Sequence, residues 1–276
     1  MIIRCMLSLW AMLWGVAIAN ECVVGDIKLF ALYDNNTRLE NLHVTDGSLL
    51  SVAEYRSLSS VLGNRFGMTL DEEKFYLPKL KFPNTMTNYL TYFICTNGNS
   101  YDNNGSYYYT LTQSVLKPQV KLGEGFMIAN GSFVPYEEDQ KIPQNLSNEL
   151  ISEDPKGIYL PIIPSLKTDG IVQEINYAFY LGNKGMESDE EHLCIVGEIV
   201  LLSIDAKKAE EQYGDRYLPT DGRVIDINDN IVLCAVIGDK YGYTGKGSNF
   251  QLPFVESTYK GTGYYICARG LFPHRV

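Results

Sequence analysis

The stretch Leu218-Pro-Thr-Asp-Gly222, continued through Tyr241-Gly242 to Phe250-Gln-Leu-Pro253, carries the pattern to which the rest of the chain aligns. It reads as a strand running into a Thr-Asp-Gly turn, a helix closed by Gly238, an aromatic-glycine pair and an extended Phe-Gln-Leu-Pro. The same order occurs near the N-terminus as Thr45-Asp-Gly47, Gly63, Phe66-Gly67 and Phe75-Tyr-Leu-Pro78. In both places the turn glycine lies 16 residues before the helix-closing glycine, 20 before the second glycine and 31 before the proline. Between them stands a worn version, Ala129-Asn-Gly131 to Tyr159-Leu-Pro161, with 30 residues from glycine to proline. Self-similarity at fixed spacing sets the architecture before any single motif does.

The pairs Asp46-Gly47, Asn130-Gly131 and Asp221-Gly222 read as structural turns. Glycine admits the positive φ that tight turns need, and an Asp or Asn side chain bonds the backbone just ahead of it. A helix follows in the first copy, where Ser51 and Glu54 suggest a capping box, Tyr55, Leu58, Val61 and Leu62 repeat at helical spacing, and Gly63 closes. In the third copy Asp226 is the expected cap, with Ile227, Leu233, Val236 and Ile237 toward the core. In the middle copy Pro143 falls at the place of Ser59, so the helix there must be shorter or broken. Each copy thus reads as strands, one helix and closing strands. The expected fold class is α+β, three tandem small units at 20–113, 114–190 (degenerate) and 191–276, divided by polar passages at 97–109 and 182–192.

Residues 1–19 carry one positive charge at Arg4, an apolar run from Met6 to Ile18 and the small-residue site Ala17-Ile-Ala19. This pattern predicts a secretory signal peptide cleaved near Ala19. About 14 apolar residues fall short of the roughly 20 that a spanning helix needs. Without this segment 22 basic residues face 33 acidic ones. A chain this acidic lacks the basic stripe that neutralises phosphates, which argues against nucleic acid as a partner. Its 20 tyrosines against 11 phenylalanines favour half-buried or binding surfaces over a dry core.

After cleavage five cysteines remain, at 22, 95, 194, 234 and 267. Cys22-Val-Val-Gly25 matches Cys194-Ile-Val-Gly197, and Tyr92-Phe-Ile-Cys95 matches Tyr264-Tyr-Ile-Cys267, each pair of cysteines 73 residues apart. In the middle copy an alignment on Val120-Lys-Leu-Gly123 and Asn176-Tyr-Ala-Phe179 puts Val120 and Phe179 at the cysteine positions, so both partners are lost together. The expected bridges are Cys22 to Cys95 and Cys194 to Cys267, in keeping with a secreted chain. Cys234 is left over and expected to be buried in its helix.

These residues resemble the phage tail collar domain, found at the receptor-binding end of short tail fibres and in related bacterial tail-fibre-like proteins. The resemblance rests on Gly197-Glu-Ile199, Tyr217-Leu218, Asp221-Gly222, Ile237-Gly238, Tyr241-Gly242, Phe250-Gln-Leu-Pro253 and the ending Tyr265-Ile-Cys267 to Gly270-Leu-Phe-Pro273. It covers nearly all of the first and third copies and a skeleton of the second. It implies a non-catalytic binding or structural protein, with a cell-surface glycan or protein as ligand. The glycine- and histidine-rich segment common beside such domains is not found, so the family's metal-binding, intertwined trimer is not carried over.

No constellation for chemistry stands out. Asp46 and Asp221 could be read as the carboxylate pair of a glycosidase, but each sits in a turn of its own copy and the middle copy has Asn130 there. His43, His192 and His274 show no metal-ligand spacing. No catalytic residue, cofactor or metal is expected, and the protein is read as no enzyme. Competing readings are a carbohydrate-active enzyme on this scaffold and a self-associating coat or fibre component; homo-oligomerisation stays open. Asn-x-Ser/Thr sites at Asn35, Asn104, Asn130 and Asn145 would matter only in a eukaryotic secretory pathway. For a ligand surface the candidate is the passage with Tyr101, Tyr107, Tyr108 and Tyr109, whose Tyr, Asn, Ser and Gly content matches that of antibody loops. The alternative is a linker whose tyrosines pack on a neighbouring copy. The expected location is secreted, periplasmic or at the cell surface.

Overall fold

The computed structural model describes residues 22–32, 39–82, 89–98, 113–118, 122, 125–136, 142–168, 174–181, 194–242 and 248–273. The proposed signal peptide lies outside them. The chain begins with β1 (Ile27–Ala31), β2 (Leu42–Val44), β3 (Leu49–Ser51), α1 (Arg56–Leu62), β4 (Lys74–Tyr76) and β5 (Leu90–Cys95). It continues with β6 (Gln113–Lys117), β7 (Phe126–Ile128), β8 (Phe133–Pro135), a single 3-10 turn (Asn148–Leu150), β9 (Ile151–Glu153), β10 (Lys156–Tyr159), β11 (Leu166–Lys167) and β12 (Glu174–Tyr180). It ends with β13 (Glu198–Leu202), α2 (Ala206–Tyr213), β14 (Tyr217–Pro219), β15 (Val224–Asp226), α3 (Ile231–Ile237), β16 (Asn249–Gln251) and β17 (Gly263–Cys267). The architecture is therefore mostly β-sheet with short helices, of the α+β kind.

Three strands organise the main sheet. β6 and β13 are buried at every residue, and β1 at all but Lys28; such near-continuous burial marks strands covered on both faces. On one edge β1 pairs with β5, β6 with β12 and β13 with β17, all antiparallel. Beyond those, β2, β7 and β14 extend each arm. The opposite edges of the three strands meet one another, through Leu29↔Ile199, Leu201↔Ser114 and Leu116↔Ile27. Each central strand divides one edge between the other two. The three arms therefore share one sheet and one continuous apolar core, reaching from Cys22 to Ala268.

Outside this sheet the same backbone bonds recur at three places. Leu80 N–H donates to the Thr45 carbonyl, Ile163 to Ala129 and Val255 to Thr220, at 2.9, 3.0 and 2.7 Å. Leu77 likewise donates to Ser48, Leu160 to Ser132 and Leu252 to Arg223, each at 2.9 Å. Each set is accompanied by a small antiparallel strand pair, β3 with β4, β8 with β10, or β15 with β16.

Register corrects the alignment of the middle segment. Tyr92 faces Leu29, Tyr264 faces Leu201 and Tyr177 faces Leu116. Tyr177, not Asn176, thus takes the place of Tyr92, and Tyr180, not Phe179, takes that of Cys95. A shift of one residue exchanges the two faces of a strand, and without a cysteine to mark it the shift was invisible in sequence. Val120 lies outside the described residues, and the strand that corresponds to β1 is β6. That strand crosses the division expected at 113/114.

The helix ends also differ from expectation. Ser51 is the last residue of β3, and α1 starts five residues later with no side-chain cap. Asp226 ends β15, and its Oδ1 accepts from the Asn228 N–H at 2.7 Å, so it closes the loop before α3 without capping the helix. Asn230 holds the cap position. Both helices are seven residues long, too short to persist on local bonds. Burial of Leu58 and Leu62 in one, and of Leu233, Val236 and Ile237 in the other, holds them. Gly63 and Gly238 do close them, at φ 56° and 62°. Near Pro143 the described residues make only the 3-10 turn, capped by Ser147, whose Oγ accepts from the Glu149 N–H.

Candidate functional site

The expected structural turns share one geometry. Asp46 Oδ1 accepts from the Ser48 N–H at 2.9 Å, Asn130 Oδ1 from the Ser132 N–H at 3.0 Å and Asp221 Oδ1 from the Arg223 N–H at 3.0 Å. Gly47, Gly131 and Gly222 follow at φ 85°, 82° and 75°, in the left-handed region that favours glycine. The Asp221 carboxylate is also gripped by the Arg223 guanidinium at 2.7 Å. Burial alone would raise its pKa, but the bonds from Arg223 outweigh this and hold it below the usual carboxylate range. A carboxyl kept ionised by its own turn is poorly suited to donating a proton.

The bridges Cys22–Cys95 and Cys194–Cys267 are present, each with Cα atoms 6.0 Å apart and a sequence separation of 73. They tie the entry of β1 to the end of β5, and the entry of β13 to the end of β17. Two glycines that the motifs did not single out sit against them. A Cβ at Gly98 would lie 2.0 Å from the Cys22 carbonyl oxygen, and one at Gly270 equally close to that of Cys194. The signal was available as Cys95-Thr-Asn-Gly98 and Cys267-Ala-Arg-Gly270. Cys234 is buried in α3 as expected, but it is no leftover thiol, since none of the described cysteines is free.

Where β1, β6 and β13 meet, polar groups gather that no motif announced. Lys117 Nζ lies 2.7 Å from both Asp26 carboxylate oxygens, with both side chains almost wholly buried, and 4.1 Å from the centre of the Phe126 ring. Burial pulls the Lys117 pKa down, to about 8, against the attraction of Asp26. Lys28 and Glu198 form a second pair across β1 and β13 at 2.7 Å. On the face that carries Leu29, Leu116 and Leu201, the phenols of Tyr92, Tyr177 and Tyr264 approach one another, Tyr177 interacting with both others. Burial raises the pKa of all three well above that of free tyrosine, so each stays neutral. A small cavity of about 30 Å³ lies beside them, with Ile27, Ser114 and Ile199 among its walls.

The remaining expected residues are scattered or undescribed. Tyr101, Tyr107, Tyr108 and Tyr109 lie outside the described residues, as do His192, His274, Asn35 and Asn104. His43 places Nδ1 3.1 Å from the Val44 carbonyl oxygen. Among the described residues no three His, Cys, Asp or Glu side chains gather as a metal site would require, and no helix is long and apolar enough to cross a membrane. Asn130 is exposed, whereas Asn145 is buried and donates from Nδ2 to the Tyr213 hydroxyl at 3.0 Å, closed to a glycan. A helix that the sequence reading missed, α2, begins after Asp205. Its signal was the run Ala206-Lys-Lys-Ala-Glu-Glu-Gln-Tyr213 of strong helix formers ending at Gly214.

No curated protein and no solved structure matches this chain. Residues 197–256, from the start of β13 through the Asp221-Gly222 turn and α3 to just beyond Phe250-Gln-Leu-Pro253, match the family model described as Phage Tail Collar Domain, the family that these residues resemble.

Proposed function

We propose that this protein is a secreted, non-catalytic, tail-fibre-like structural and binding protein in which three collar-like units close round a common pseudo-threefold axis. The observation that carries this reading is the cyclic register of the central strands. Leu29↔Ile199, Leu201↔Ser114 and Leu116↔Ile27 join the same two positions of each unit, first to third, third to second and second to first. The recurring Asx turns and carbonyl bonds support the same division. One polypeptide thereby closes the ring that a cyclic homotrimer would close with three chains, and the inner edges of the three central strands are taken up within the chain. The ligand class is a cell-surface glycan or protein, presented to the medium once the N-terminal signal is removed.

Light scattering on the mature protein tests the ring, and a monomer is the expected result. A trimer would mean that the central strands pair between chains and would overturn the single-chain reading. A glycan-array and whole-cell binding screen tests recognition, and the absence of binding to either would leave a scaffold role alone. Hydrolysis of a polysaccharide panel would favour the enzyme reading.

A further inference from the structure

The cavity beside the three phenols breaks the symmetry around it in a way that points to an occupant. By register, Ser114 holds the position of Ile27 in the first arm and Ile199 in the third, each facing a leucine of the next strand. Two of the three arms thus fill the junction with a branched apolar side chain, and the third offers a short hydroxyl. Replacing isoleucine by serine removes apolar volume at the centre of the core, and a gap in a close-packed interior forfeits dispersion contacts unless something fills it. Serine also brings a polar atom into a buried site. Among the described residues the Oγ of Ser114, a residue 5% exposed, has no hydrogen-bond partner; the Tyr92 hydroxyl, on a residue 3% exposed, interacts with the neighbouring Tyr177 phenol but meets no partner in good hydrogen-bonding geometry. Both residues line the cavity. Leaving such groups unbonded carries a desolvation penalty that nothing offsets.

We propose that this junction is a built site for ordered water, bridging Ser114 Oγ and the Tyr92 hydroxyl. Three considerations select water over other small molecules. The space, about 30 Å³, exceeds the roughly 10–15 Å³ that seats one water and holds at most a pair. The partners are neutral hydroxyls that both donate and accept, as a bridging water requires. The cation in the wall, Lys28, already bonds Glu198 at 2.7 Å, so nothing offsets the desolvation of an anion. The water would join the three phenols and Ser114 in one network at the centre of the ring, where each arm contributes one tyrosine.

The test is a high-resolution crystal structure of the full chain together with melting of Ser114→Ala and Tyr92→Phe. A peak about 2.7–3.2 Å from both hydroxyls, weakened in Ser114→Ala, is expected. Melting adds a sign. If water satisfies the hydroxyls, each substitution removes a bonded partner and lowers Tm by about 2–4 °C, as a loss near 1 kcal/mol does in a protein of this size. If the hydroxyls are unbonded, deleting them relieves a penalty and Tm rises. A rise in both variants, or a cavity without density, overturns the proposal. So does an anomalous peak in the cavity after a bromide soak, which would make it an anion site.

Discussion

Gly98 shows how little the neighbourhood of each bridge tolerates. Any side chain there meets a backbone oxygen 2.0 Å away, which cannot rotate aside. Gly98→Ala is expected to cost about 1–3 kcal/mol, as overpacking does, and differential scanning calorimetry measures the drop. Gly63→Ala, whose added Cβ meets nothing within 4 Å, serves as the comparison for backbone strain without a clash. Asp221 is expected to matter to folding alone. Asp221→Ala should lower Tm while leaving any ligand binding intact at low temperature, because the lost bonds are those of a turn. Loss of a hydrolytic rate at unchanged Tm would contradict that role. The buried Lys117–Asp26 pair has an internal control, since the corresponding positions at another junction are Leu202 and Gln113, directly opposed. Lys117→Leu alone removes the buried cation that faces the Asp26 carboxylate and should cost about 3–5 kcal/mol, whereas Lys117→Leu with Asp26→Gln should recover much of that. Urea unfolding of the set measures the coupling.

At the scale of elements, the short helices depend on contacts that lie outside them. Asp205 precedes α2, yet its carboxylate accepts from the Ser147 hydroxyl at 2.7 Å and from the Asn148 N–H, and lies 3.5 Å from Lys208. It fastens α2 to the 3-10 turn of the middle segment. Burial pushes its pKa up, but these bonds prevail and hold it below the ordinary value. Because the folded pKa lies below the unfolded one, near 3.9, the contribution is complete above about pH 4 and is lost as pH falls through the folded value. The stability gap between the wild type and Asp205→Asn should therefore hold above about pH 5 and shrink as pH falls below about 4, and thermal melts across that range measure it. An unchanged gap would mean that the carboxylate charge has no part in the contact. The absence of a helical cap at Ser51 and Asp226 fits the same pattern, since a seven-residue helix gains more from burying its apolar face than from one terminal bond.

For the whole molecule, the three arms bury their shared edges, and function must be sought on what they leave outside. The passage with Tyr101, Tyr107, Tyr108 and Tyr109 follows the closing strand of the first arm and precedes β6. Replacing Tyr107 and Tyr109 by serine, with affinity and Tm measured together, separates its two readings. Lower affinity at constant Tm is expected of a ligand surface, and a lower Tm at constant affinity would make the passage a connector packed on the rest of the protein.

Features that depend on a few neighbouring residues or on a repeated interval were legible in the chain alone. These are the Asp-Gly and Asn-Gly turns, the glycines closing α1 and α3, the collar segment, and the two bridges, visible because Cys22 to Cys95 and Cys194 to Cys267 span the same distance. Which strands meet became visible only in three dimensions. β1, β6 and β13 all read as short apolar runs, and their pairing is set by contacts between residues about 85 to 170 positions apart, which periodicity does not encode. For that reason Lys117 was unreadable until Asp26 stood beside it, and the three tyrosines were ordinary strand residues until the shared sheet brought their phenols together. The one-residue shift in the middle arm has the same cause, because strand register is fixed by which face the partners bury and not by the strand alone.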